Sequence, residues 1–230
     1  MCDVCKGSGF VMVEKDGTEY ATPCQCQIGP FPILEKAGVP EGLRSKTLGQ
    51  FKAQNVLIEN YLKRIRKWCE TWPKVDRGLL IMGPTGTGKT HVSVGIMREL
   101  AEKGECGMVF KDSRGLMQEF RDTYQDGSRL TESVIMEDVT TCPLLVLDDL
   151  GAERLTEWTQ ATMEQILSAR YNAGLPVIIT TNWMDSELLP DGSEGFLVDR
   201  VGARVRSRLW EVCQRMGFLA PDYREQAVKA

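Results

Sequence analysis

The chain has 230 residues, room for one full core plus a small appendage but not for two ordinary domains. With 28 Lys and Arg against 32 Asp and Glu, a net charge of −4, it has no general cationic field for nucleic acid, so any such contact must be local. No apolar run approaches the ~20 residues of a membrane span, and the N-terminus bears Cys and charge instead of a basic stretch followed by an apolar one, so no membrane contact and no signal peptide is expected and the cytoplasm is the expected compartment.

In that reducing compartment the eight cysteines are poor disulfide formers, and close-set ones point to metal. Residues 1–30 hold four of them around a short β-like stretch, Phe10-Val11-Met12-Val13, the composition of a metal-stapled hairpin. Cys2-x-x-Cys5 and Cys24-x-Cys26 suit either a four-thiolate site for Zn²⁺ or iron, whose binding would supply the folding energy of a segment too short to build a core, or free thiols on a mobile tail. Pro30, Pro32, Gly38, Pro40 and Gly42 then mark residues 31–50 as a linker or irregular packing arm, and residues 51–230 form the core domain.

The core begins with a helix expected from Val56 to Glu70, on which Leu57, Tyr61, Ile65 and Trp68 recur at helical spacing. Its Lys63, Arg64, Arg66 and Lys67, beside Trp68, suit either a phosphate backbone or the wet side of an amphipathic helix. From Gly78 apolar strands alternate with helices, the pattern of a parallel α/β sheet covered on both faces. Strands are expected at 79–82, 108–110, 144–147 and 177–181, with a fifth around 213–218. Helices are expected at 89–103 with Gly104 as cap, 116–124, 132–139, and 157–172 with Gly174 as stop. Lys111, Arg114 and Arg121 form a second basic group after the second strand.

Gly83-Pro84-Thr85-Gly86-Thr87-Gly88-Lys89-Thr90 sits between the first strand and the next helix, the full context of a phosphate-binding P-loop. Its backbone N–H groups turn around the β-phosphate at the positive end of the helix. Lys89 would bridge the β- and γ-phosphates and the Thr90 hydroxyl would ligate Mg²⁺, so ATP and Mg²⁺ are the expected cofactors. Leu144 to Leu147 run into Asp148-Asp149, as a Walker B strand requires. Asp148 would hold Mg²⁺, and Asp149 would orient or deprotonate the attacking water. Asp149 is one methylene shorter than Glu, which predicts slow turnover. Val177 to Thr181 end at Asn182, which either positions the water or simply makes a turn. Arg204 and Arg208 lie one helical turn apart, and suit a neighbour's triphosphate or a solvated face. His91, the only histidine, is either structural or a nucleotide neighbour, and Arg224 is placed to touch phosphate in cis.

Taken together, Walker A at Gly83 to Thr90, Walker B at Leu144 to Asp149 with Leu150-Gly151, Thr180-Thr181-Asn182, Arg204 to Leu209 and Asp222-Tyr223-Arg224 resemble the DnaC/DnaI-type helicase loaders of the AAA+ superfamily. Ala37-Gly38-Val39-Pro40 with Thr47-Leu48 is similar to the segment that leads into the core in those loaders, and Cys2 to Gly9 resembles the zinc hairpin of some of them. The resemblance implies a five-stranded AAA+ core with no C-terminal helical lid, only six residues following Arg224. By motif position it makes Asn182 sensor 1, Arg208 the arginine finger, Arg204 its companion and Arg224 sensor 2. It further implies self-assembly on single-stranded DNA, DNA-facing groups after the second strand for which Lys111, Arg114 and Arg121 are candidates, a replicative helicase as partner of the N-terminal region, and ATP hydrolysis at subunit interfaces. The competing expectations are an IstB-like transposition helper, a small-molecule P-loop kinase, and an adaptor that uses ATP as a switch.

Overall fold

In the computed structural model, which describes residues 4–6, 8–15, 17–24, 29–124, 131–185 and 196–228, Gly78 opens a five-residue strand buried at every position. This strand, β3 (Gly78–Met82), is one of three inner members of a parallel sheet of order β4-β5-β6-β3-β7. The others are β4 (Val109–Asp112), β5 (Leu145–Asp148), β6 (Val177–Thr181) and β7 (Cys213–Gly217). β6 thus lies between the P-loop strand and the strand that ends in paired acids, with Leu79 opposite Ile178 and Val146 opposite the same Ile178.

Side chains alternate across a strand, so each strand feeds two cores. Leu79, Ile81, Val146, Ile178 and Met216 pack on one face against α2 (Val56–Thr71) and α3 (Lys89–Glu102). Leu80, Met82, Leu145, Leu147 and Ile179 pack on the other against α4 (Ser113–Asp122), α5 (Glu132–Thr141), α6 (Glu157–Asn172), α7 (Leu197–Val201) and α8 (Ala203–Val212). A parallel sheet needs this double cover, which is why its strands read as continuous apolar runs.

The segment expected to be a linker or an irregular packing arm packs into the first core. Pro30 opens a seven-residue helix, α1 (Pro30–Lys36), at the one helical position where a missing N–H is harmless. Ile33, Leu34, Val39 and Leu48 are buried with Leu79 and Val92, and the Phe110 N–H donates to the Ala37 carbonyl at 2.7 Å. Leu48 and Phe51, on either side of the expected boundary at 50/51, are buried in the same cluster. α7 and the short terminal helix α9 (Tyr223–Val228) were likewise not expected.

At the N-terminus, β1 (Phe10–Lys15) pairs with β2 (Thr18–Pro23) as an antiparallel hairpin, Phe10 opposite Pro23. Most of its side chains are exposed, whereas Cys5 and Cys24 are buried. Cys2 and Cys26, the other expected zinc ligands, lie outside the described residues. Among the described residues no cluster of three or more His, Cys, Asp or Glu is arranged to hold a metal, and no helix is long and apolar enough to cross a membrane.

Arg170, near the end of α6, is a fully buried cation that sequence reasoning passed over. It donates to the carbonyls of Val139, Cys142 and Pro176 at 2.9, 3.0 and 2.6 Å, so the negative end of α5 takes the place of a carboxylate partner. Cys69, Cys142 and Cys213 are buried packing residues.

Candidate nucleotide site

The P-loop connects β3 to α3 through Gly88, the α3 cap, whose φ of 85° lies in the left-handed region. A methyl group there would come within 2.4 Å of the Phe51 ring, so conformation and space both demand glycine. The Lys89 ammonium curls over the loop and donates to the Gly83 and Pro84 carbonyls at 2.7 and 2.8 Å and to Asn182 Oδ1 at 2.8 Å. Its three donors are thus all engaged. Burial lowers its pKa from 10.5 to about 8, against the opposing pull of Asp149 and Asp148.

Opposite the loop, Thr90 Oγ1 donates to Asp148 Oδ2 at 3.1 Å, and Thr180 Oγ1 donates to Asp148 Oδ1 at 2.6 Å. Burial raises the Asp148 pKa, while the Thr180 and Thr90 hydrogen bonds oppose the shift. A hydroxyl and a carboxylate this close form a hard-oxygen pair that suits Mg²⁺. Asp149 adopts φ 58°, a conformation uncommon outside glycine and tolerated best by Asp and Asn. Its N–H is held by Thr180 Oγ1 at 2.9 Å, and its carboxylate accepts from Asn182 Nδ2. Asn182 therefore links Lys89 to Asp149, both amide atoms being used. Its side chain faces the cavity between Lys89 and Asp149.

These groups line a cavity of about 630 Å³ together with Lys46, Gln50, Phe51, Lys52, His91, Tyr223 and Arg224. One wall is aromatic, with Phe51 centred 5.5 Å from His91, 6.0 Å from Phe218 and 5.6 Å from Tyr223. His91 is both structural and a cavity neighbour, since Nε2 meets the Thr47 carbonyl at 2.9 Å. Phe51, Lys46 and Lys52 escaped sequence reasoning because no motif surrounds them. Thr180 was visible as part of Thr180-Thr181-Asn182, but its grip on both acids was not.

Arg204 and Arg208 do not line this cavity. α8 is anchored by Arg206, whose guanidinium binds the buried Asp185 at 2.7 Å and stacks 3.9 Å over Trp210, while Trp210 Nε1 donates to the same carboxylate at 2.7 Å. With Arg206 turned inward, Arg204 is exposed. Arg208 pairs with Glu211 and lies 5.3 Å over the Tyr171 ring. Of the expected DNA-facing groups, Lys111 is paired with Glu119, Arg114 with the Ala152 carbonyl, and Arg121 lies over Trp158. Trp68 is buried, its indole donating to the Arg77 carbonyl at 2.8 Å, and so presents no face for base stacking.

A strand, a glycine-rich loop and a helix, acids at the end of a second parallel strand and an Asn just after the strand between them define a P-loop protein with an AAA+ core. Residues 50–187 match the family described as IstB-like ATP binding protein, and the chain belongs to that family. It is 30% identical over 149 residues to the replicative helicase loader DnaI of Bacillus subtilis, covering 64% of this chain and 45% of that protein. Over 171 residues it is 25% identical to the replicative helicase loader DnaC of Escherichia coli K12, covering 69% of this chain and 67% of that one. Among solved structures, a DnaC helicase loader superposes with a TM-score of 0.66 at 29% identity, covering 77% of this chain and 99% of that one. The replication initiator DnaA bound to AMPPCP and single-stranded DNA shares the fold, with a TM-score of 0.63 at 19% identity over 80% of this chain and 53% of that one.

Proposed function

We propose that this protein is an ATP-dependent helicase loader that acts in the cytoplasm, assembles on single-stranded DNA, and places a replicative hexameric helicase there. Lys89 holds the β- and γ-phosphates, Thr90 and Asp148 hold Mg²⁺, and Asp149 and Asn182 position the attacking water. Mg²⁺ would supply charge neutralisation at the triphosphate. The observation that carries this reading is the pairing of a complete hydrolytic set with the absence of Arg204 and Arg208 from the cavity of their own chain. The charge that builds on a γ-phosphate then calls for a guanidinium from a neighbouring copy, Arg208 with Arg204 beside it. The similarity to DnaI and DnaC supports the loader role.

The buried Cys5 and Cys24 in a hairpin with few other buried side chains support a zinc module completed by Cys2 and Cys26. We assign this module the helicase contact.

A mixing experiment tests the composite site. Asp149→Asn protein keeps its finger and Arg208→Ala protein keeps its site, so each should hydrolyse ATP poorly alone with single-stranded DNA, and an equimolar mixture should recover activity. A mixture as inactive as its components refutes the composite site. One rival is an IstB-like transposition helper on duplex DNA, which shares with the matched family only the IstB-like name. Co-purification with a hexameric helicase, lost on Cys5→Ser, separates the two. Phosphorylation of a metabolite would identify a kinase instead, against the paired acids and Asn182.

A further inference from the structure

The segment after β7 crosses back over the P-loop and carries a carboxylate to it. The Tyr223 N–H donates to the Gly86 carbonyl at 3.1 Å. The Asp222 carboxyl group lies on the side of Gly86 where a side chain would project, so that a methyl group built there would come within 1.9 Å of its carbon. With φ +79° as well, position 86 admits only glycine. Asp222 in turn holds Arg224 in a two-point ion pair, Oδ1 accepting from Nε at 3.1 Å and Oδ2 from Nη2 at 2.9 Å. Oδ1 also accepts from the Arg224 N–H at 2.8 Å, which caps the first turn of α9.

This arrangement sets two charges against the ordinary needs of the site. A loop that must receive several negative charges has a carboxylate on its wall. The guanidinium nearest to it, which lines the cavity, spends on that carboxylate the N–H edge that makes a fork with phosphate oxygens. The Asp222 pKa is held down by Arg224 first and also by Lys89, which places the carboxylate within the electrostatic reach of the catalytic ammonium.

We propose that Asp222 is a charge clamp on the nucleotide site: it holds Arg224 in the empty protein and must release it to the polyphosphate, so nucleotide affinity reflects an exchange of carboxylate for phosphate. The clamp rests on nucleotide binding at the P-loop, and on neither hydrolysis nor assembly.

The test is equilibrium binding of a fluorescent ATP analogue with Mg²⁺. Asp222→Ser keeps an N-capping oxygen and removes the charge, and Asp222→Asn does so with the original shape. Melting temperatures close to wild type confirm that both fold. An exposed ion pair of this kind corresponds to about a two- to fivefold gain in affinity when it is released, expected in both variants. Arg224→Ala should cost more affinity in the Asp222→Ser background than in wild type, because only the free guanidinium is available to phosphate. If Arg224→Ala costs more in wild type, or if both neutral variants bind no tighter, Asp222 merely orients Arg224 or caps α9 and the clamp is overturned. Lys89→Ala serves as the reference: binding unchanged by it would overturn the P-loop site itself, a failure distinct from that of the clamp.

Discussion

At pH 9 the empty site holds Lys89 mainly as a neutral amine, because burial brings its pKa down to about 8. Bound phosphates reverse that shift by supplying the charge that burial withholds. The ammonium pKa is therefore lower in the free protein than in the complex, binding takes up a proton, and affinity must fall as pH rises through the lower value. The apparent Kd grows by a factor of one plus the ratio of amine to ammonium, about 1.3 at pH 7.5 and about 11 at pH 9. ADP should thus bind about eightfold more weakly at the higher pH, a loss of about 1.2 kcal/mol. Isothermal titration calorimetry with ADP and a chelator removes the metal and Asp148 from the comparison. Paired buffers of different ionisation enthalpy should report an uptake of about 0.9 proton at pH 9 and about 0.2 at pH 7.5. In Lys89→Arg the guanidinium stays charged throughout and the slope should vanish. A Kd that is flat across this range in wild type, or a slope that persists in Lys89→Arg, refutes the assignment of the titration to Lys89.

Three further outcomes are expected. Asn182→Ala should lower kcat by roughly 10²–10³ while nucleotide affinity changes far less, since the amide aligns Asp149 without building the phosphate cradle; a variant with full turnover in the presence of DNA refutes that role. Phe51→Ala should cost about 3–5 kcal/mol in urea unfolding, the usual loss for a buried Phe, and should weaken nucleotide binding as well, because the ring packs on Gly88 and His91 at the cavity wall. Arg170→Met should lose roughly 2–5 kcal/mol of stability by stranding the carbonyls of Val139, Cys142 and Pro176, with ADP affinity unchanged in the protein that remains folded.

How much of this was legible depends on the range over which each residue acts. β6 and α6 fell on their expected residues because apolar runs and Thr/Glu/Gly boundaries are local signals. β4 extends to Asp112, two residues beyond expectation, because that Asp both ends the strand and caps α4 by accepting from the Gly115 N–H at 2.7 Å. The helix expected to start at Leu116 starts at Ser113, with Gly115 inside its first turn. α1 was missed because seven residues are too few to display a period. The P-loop and the paired acids were legible for the same reason as β6, each being a continuous motif. What joins them was not: Lys89 meets Asn182 across 93 positions, and Thr90 meets Asp148 across 58. Those distances are closed by the parallel sheet order, which brings the C-terminal ends of β3, β6 and β5 to one edge.

The same edge explains why Arg208 was readable as a candidate but not as a member of the site. Its helix precedes β7, the strand on the far side of β3 from β6 and β5, and Arg206 and Trp210 fix that helix by gripping Asp185. A finger that served its own chain would need α8 to turn, which would break a buried carboxylate from both of these donors. Removing one partner of such a buried group costs about 3–5 kcal/mol. In the proposed loader, a neighbour's Arg208 would leave that grip intact, and completing the charge around a triphosphate by assembly would tie hydrolysis to the presence of a second copy.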